Sequence, residues 1–254
     1  MFRQLSAIGF ALSFAAALSA DKFADVELTP LVHSSVQIEY AGKVIQVDPW
    51  SRADLSKAKP ADLILITDDP VHHLDPKAIA QLRKPGAPIV IPAGVHAAGG
   101  SNAMKQVPDG IPLANGESKT IAGVLIEAIG SYDLTPGEPY HPKGEANGYV
   151  ITLGTTRVYF AGVTQCVPEV RSLKGIAVAF FPMNLPLGRM EPDAAVECLR
   201  AIKPKVVYPY HYDQAWSSAA ASALPAPTTK GLQEMKAALL KDGIEVRLAN
   251  WYWQ

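Results

Sequence analysis

The apolar positions fall in short runs separated by glycine, proline and polar clusters, the punctuation of a chain that alternates strands and helices. Residues 26–31, 36–40 and 43–47 read as short strands, the last two joined by a tight turn at Ala41-Gly42. Residues 62–67 (DLILIT) are apolar almost without a break, as a strand buried on both faces requires. Asp75-Pro76 then predicts a helix start, because Asp can cap the first turn and Pro fits inside it. Residues 88–92, 119–129, 149–153 and 157–161 read as further strands, with Gly154 turning the chain between the last two. The second half repeats the rhythm. Strands are predicted at 176–181, 205–210 and 245–249, and helices at 192–202 and 229–241. In those helices Val196, Leu199 and Ile202, and Leu232, Met235 and Leu239, recur at helical spacing. The Ala-, Ser- and Pro-rich stretch 213–229 reads as a long loop. No repeat of 20–50 residues is visible. Mixed strands and helices throughout predict a single α/β sandwich domain over residues 21–254.

Residues 1–20 stand apart. MFRQLSAIGFALSFAAALSA combines an early Arg3, an apolar stretch and a small-residue exit at Ala17–Ala20. That is the pattern of a secretory signal peptide, too short to span a bilayer. The expected location is therefore periplasmic or secreted, with no membrane attachment after cleavage. An oxidising compartment would permit a disulfide between Cys166 and Cys198. Cys198, in AAVECLRAI on the apolar side of a predicted helix, reads more simply as a small buried hydrophobe. Cys166 is open to a third role, as a soft ligand or reactive thiol.

Composition narrows the function classes. The chain has 254 residues, 48% hydrophobic and 19% charged, enough to bury a core, and this excludes general disorder. With 23 basic and 24 acidic side chains, there is no electrostatic case for nucleic acid or an anionic membrane. A small-molecule substrate is the expected partner; oligomeric state is not readable.

The six histidines carry the candidate chemistry. His72 and His73 lie in TDDPVHHLDP, between a buried strand and a predicted helix, and His211 directly follows the strand VVYPY. His141 sits in the loop PGEPYHPKG. Strand-end loops are where an α/β scaffold presents reactive groups. Three imidazoles with one open position form a catalytic metal site. His96, in AGVHAAGG, reads as an exposed loop residue.

Five segments then appear in order: LVHSSVQIEYAGKVIQVDPW, DLILITDDPVHHLDP, YHPKGEANGYVITLGTTRVYFAG, FFPMN and KPKVVYPYHY. Together they resemble the metallo-β-lactamase superfamily, and most of all its metal-dependent hydrolase branch, which includes ascorbate-phosphate lactonase-like proteins. The resemblance implies an αββα four-layer sandwich with a metal site at one edge. The family motif His-x-His-x-Asp-His, aligned from Thr67, is degenerate here: its positions hold Asp68, Pro70, His72 and His73. His141 and His211 match later family histidines, and Val163, in AGVT, stands where the family has a bridging Asp. Pro and Val have no side-chain donor. The resemblance therefore implies one metal on His72, His73 and His211. Asp68 and His141 are the remnant of the other site, and a second ion is not expected. Zinc is the expected metal, with iron or manganese as alternatives.

Asp68 and Asp69 are candidates to complete a metal shell or to act as general base on the metal's water, or turn residues before Pro70. Asp75 reads as a helix cap. His33 reads as a residue supporting the site or as a strand-end hydrogen-bond partner, and Asp48 as a turn or a site wall. Tyr132 and Asn184 lie in segments that resemble substrate-side loops, though structural roles fit them as well. Two functions remain open. One is an exported hydrolase using a single metal-bound water on a lactone, amide or phosphoester. The other is an inactive descendant that binds a small molecule or partner.

Overall fold

The structure is a computed structural model that describes residues 20–94, 103–137, 139–213 and 226–252. Residues 1–19 of the expected signal peptide, His96 and most of the expected 213–229 loop lie outside the described residues.

Two seven-stranded mixed sheets form the centre. The first runs in chain order: β1 (Asp21–Phe23), β2 (Val26–Val32), β3 (Ser35–Tyr40), β4 (Lys43–Val47), β5 (Leu63–Leu65), β6 (Ile89–Pro92) and β7 (Ile111–Leu113). Its first four strands are antiparallel and the rest parallel. The second contains β8 (Ser118–Ile121), β9 (Val124–Ser131), β10 (Ala146–Leu153), β11 (Thr156–Phe160), β12 (Val178–Pro182), β13 (Val206–Tyr210) and β14 (Glu245–Val246), again in neighbour order. Helices α1 (Pro76–Leu82), α2 (Ala103–Gln106), α3 (Pro168–Arg171), α4 (Pro192–Ile202) and α5 (Ala226–Lys241) complete the described fold. None of the helices among the described residues is long and apolar enough to cross a membrane.

The apolar run at β5 explains how the layers assemble. Leu63 and Leu65 join the large cluster that takes in residues of both sheets, whereas Ile64 and Ile66 join a second cluster with Leu74 and Ile79. Alternate side chains thus serve opposite faces, and both faces are covered. On β6, Val90 joins the first cluster and Ile89 and Ile91 the second, so the pattern repeats. Each such fully buried aliphatic side chain contributes about 1.5–3 kcal/mol. In the second sheet Phe160, Phe180 and Tyr208 stack in register across three strands, with centroids 4.9 and 4.8 Å apart.

Three details differ from the expectation. The run 119–129 is not one strand but a β8–β9 hairpin, turned by Ala122 and Gly123 at φ 51° and 78°. Paired left-handed residues make this a tight hairpin turn, which apolar content alone conceals. α5 begins at Ala226, inside the stretch read as loop. Cys166 and Cys198 form a disulfide with Cα atoms 5.6 Å apart, so Cys198 is not an unpaired hydrophobe and Cys166 offers no free thiol. The bond fastens the segment after β11 to α4.

Candidate metal centre

The site is assembled where the ends of the two sheets meet. His33 occupies the β2–β3 turn, Asp48 follows β4, His72 and His73 follow β5, and His211 follows β13. His33, Asp48 and His211 all have left-handed backbones, at φ 56°, 44° and 53°. Non-glycine residues hold such conformations at a cost of about 1–3 kcal/mol each, when the surroundings enforce them. Here they do: His211 N–H donates to His33 O at 3.1 Å, joining the two sheets, and Asp48 N–H donates to Leu65 O at 3.0 Å. The turn after β5 is fixed by Pro70, whose carbonyl accepts from His73 N at 2.8 Å and Leu74 N at 2.9 Å. Asp75 caps α1 by accepting from Lys77 N, and also accepts from Ser51 N. Its role is structural, as expected.

Four imidazoles pack together as a result. One ring nitrogen from each of His33, His72 and His211 lies within 4.8 Å of the other two. His73 Nε2 lies 3.1 Å from His211 Nε2. Behind His73, Asp48 Oδ2 is 2.7 Å from Nδ1. Asp48 also accepts from Thr67 N at 2.8 Å and Thr67 Oγ1 at 2.6 Å. A carboxylate behind a histidine orients the ring and raises the donor strength of its other nitrogen. His33 Nδ1 lies 3.1 Å from the Tyr252 hydroxyl, and its Nε2 is buried without a hydrogen-bond partner.

Burial sets the charge state. It drives His33 and His211 well below the ordinary imidazole value, and the neighbouring imidazoles push them the same way. His72 falls to about 3 through burial and repulsion from His73, partly offset by Asp68. These three rings are neutral at physiological pH, the form that ligates metal.

Beside this cluster runs a charged chain. His141 Nε2 lies 3.3 Å from Asp68 Oδ2, and Asp133 Oδ2 accepts from His141 N at 2.8 Å. Arg189 is ion-paired with Asp133 and places Nη1 3.2 Å from His141 Nδ1. Burial pulls His141 down, but Asp133 and Asp68 outweigh it and raise its pKa. Burial likewise pushes Asp133 up, but bonds from His141 and Arg189 bring it below the usual carboxylate range.

The predicted residues therefore divide. His72, His73 and His211 are brought together; Asp68 and His141 pair with each other instead. Asp69 is buried, and its backbone N–H donates to Asp68 Oδ1. Tyr132 donates to Glu169 at 2.7 Å, and Asn184 sits at φ 52° with its N–H on Met190 O, so both have structural work. Sequence reasoning placed His33 and Asp48 only near the site and missed Asp133, Arg189 and Tyr252. HSS and DPW at strand ends were the available signals for the first two; nothing in the sequence marks the other three.

Two mixed sheets with imidazoles gathered at their ends define the metallo-β-lactamase fold class. Residues 27–211 match the β-lactamase superfamily domain family, and the chain belongs to that family. It resembles the metal-dependent hydrolase branch over most of its length. A UPF0173 metal-dependent hydrolase of Pyrobaculum aerophilum is 30% identical over 195 residues, covering 71% of this chain and 81% of the relative. One from Aeropyrum pernix is 28% identical over 198 residues, covering 73% and 81%. The crystal structure of a putative metal-dependent hydrolase from Parabacteroides distasonis is 35% identical, covers 91% of this chain and 98% of its own, and superposes with a TM-score of 0.77.

Proposed function

We propose that this chain is a hydrolase that holds one divalent metal on His72, His73 and His211. The observation that carries this reading is the facing pair of Nε2 atoms of His73 and His211, 3.1 Å apart, with Asp48 behind the first. Two nitrogens bound to one tetrahedral zinc at 2.0–2.1 Å stand about 3.3 Å apart, so this pair fits such an ion. His72, whose ring nitrogen lies within 4.8 Å of that of His211, is the third candidate donor. When bound, zinc, iron or manganese supplies Lewis acidity and lowers the pKa of water toward ~7.

The chain's own residues supply the rest. Three neutral imidazoles leave the charge of the ion undiminished. Asp48 fixes the ring of His73. Asp68, 3.3 Å from His141 Nε2, is placed as proton acceptor beside the cluster, with His141 and Asp133 behind it to share the proton's charge. Asp69 is the second acidic candidate. A second ion is disfavoured because Pro70 and Val163 offer no donor and Arg189 already brings positive charge to His141. The substrate class is a small lactone, amide or phosphoester.

Export to the periplasm or medium is part of the proposal, supported by residues 1–20 and by the disulfide. Fractionation of the native host, with the mature N-terminus read by mass spectrometry, tests it: a cytoplasmic protein retaining Met1 would sink it.

Metal analysis of protein purified without chelator tests the site. About one equivalent is expected, lost in His211→Ala and His73→Ala. Protein that takes up no metal from zinc-supplemented buffer would leave the second reading, a binding protein without catalysis. That reading is favoured by the donorless Pro70 and Val163.

A further inference from the structure

By proximity alone His33 belongs to the ligand set, since its ring nitrogen lies within 4.8 Å of those of His72 and His211. The hydrogen bonds behind each ring say otherwise. A neutral imidazole has one N–H and one lone pair, and a partner at one nitrogen decides what the other offers. Asp48 already accepts two bonds from Thr67, so its 2.7 Å contact with His73 makes Nδ1 the donor and leaves the lone pair on Nε2. His33 has the opposite support. The Tyr252 hydroxyl oxygen accepts from Tyr212 N at 3.1 Å and from Asp213 N at 3.2 Å. With both lone pairs engaged, the 3.1 Å contact to His33 Nδ1 uses the phenol's own proton. His33 Nδ1 is then an acceptor, and its proton sits on Nε2.

We propose that His33 is not a metal ligand but a hydrogen-bond donor, built to present Nε2–H inside the histidine cluster to an anionic oxygen of a bound substrate. Its Nε2 is fully buried and has no protein partner. A buried donor left unmade costs about 1–3 kcal/mol, and a ligand oxygen would relieve that cost. The ring is enclosed by His211 at 3.9 Å, His72 at 5.3 Å and Trp50 at 5.8 Å between centroids, so the N–H lies among the residues proposed to hold the metal. This deepens the hydrolase reading and rests on it for the identity of the acceptor, but the tautomer itself does not depend on metal.

Long-range proton–nitrogen correlation spectra of histidine-labelled, metal-free protein read each tautomer directly. His33 is expected protonated on Nε2 and His73 on Nδ1; His33 protonated on Nδ1 overturns the proposal. Tyr252→Phe should release His33 into a mixture of tautomers, and an unchanged His33 spectrum would show that the phenol does not set it. Zinc content separates the roles. His33→Gln should keep about one equivalent, with affinity close to that of the parent. His73→Gln should lose at least the 10–100-fold that removing a supporting partner costs. Loss of zinc in His33→Gln equal to that in His211→Ala makes His33 a ligand and ends the proposal. Titration of the zinc-loaded protein with inorganic phosphate tests the acceptor. Binding weakened about tenfold or more in His33→Ala is expected for one charge-assisted bond, whereas equal binding, or none to either protein, removes the anion. If the parent takes up no zinc, the hydrolase reading fails while the tautomers still answer for His33.

Discussion

Two groups of buried and half-buried histidines lie at the same edge of this molecule and behave in opposite ways. His33, His72 and His211 are surrounded mainly by one another, and burial keeps them neutral. His141 is as enclosed, yet two carboxylates hold it toward the charged form. Burial alone therefore does not determine the charge of an imidazole. What matters is whether its ring nitrogens meet lone pairs of carboxylates or only other rings. Rings that meet mainly other rings stay neutral, the form that can ligate a metal, whereas the ring between carboxylates becomes a link in an ion-pair chain.

The contrast is sharpest in its response to substitution. Asp48→Asn should weaken metal binding by about 10–100-fold, because the amide supports His73 less strongly; a zinc competition titration reads it, and an unchanged affinity would detach Asp48 from the site. Arg189→Met should leave metal content intact but destabilise the fold, by up to about 3–5 kcal/mol, since buried Asp133 loses its guanidinium partner and keeps only His141. Denaturant unfolding measures this, and loss of zinc from a folded variant would merge the two groups into one. Replacing both Cys166 and Cys198 by Ala should cost roughly 3–4 kcal/mol for a separation of 32 residues, with the metal site unaffected.

Acid separates the two groups more gently. His33, His72 and His211 have folded pKa values below 6.5, whereas the unfolded chain protonates near that value. Stability is therefore complete above pH 6.5 and falls as pH drops toward the folded values, by up to about 1.4 kcal/mol per pH unit for each ring. His141 has the opposite sign. Its raised pKa adds stability below pH 6.5 that is lost as pH rises through the folded value. In metal-free protein His72→Gln should flatten the acid limb of the melting-temperature profile below pH 6.5, and His141→Gln should remove the stability gained as pH falls from the raised folded value to 6.5. The smallest effect belongs to Asp75→Ala, about 0.5–2 kcal/mol from loss of the α1 cap, without change in either group.

Much of the fold was legible because local and tertiary demands agree. DLILIT is apolar on both faces, and both faces are covered. α4 spans Pro192–Ile202 as expected because Pro opens it, its apolar side chains recur at helical spacing, and Lys203 ends it with a left-handed residue. The 119–129 segment failed because Ala122-Gly123 turns the chain without a polar break. β1 and β7, of three residues each, are too short to leave a periodic trace. At the site, His72, His73 and His211 announced themselves by following buried strands. The Cys166–Cys198 bond and the contacts of Arg189 and Tyr252 depend on distances between segments remote in the chain, and no spacing encodes those.

The left-handed backbones at His33, Asp48 and His211 have a consequence for directed evolution. A library selected only for heat resistance should accumulate Gly or Asn at these three positions, because those residues adopt the conformation with less strain. The winners would be sturdier proteins with an emptied site. Screening for survival and screening for metal retention should therefore pull the codons of Asp48 and His211 in different directions.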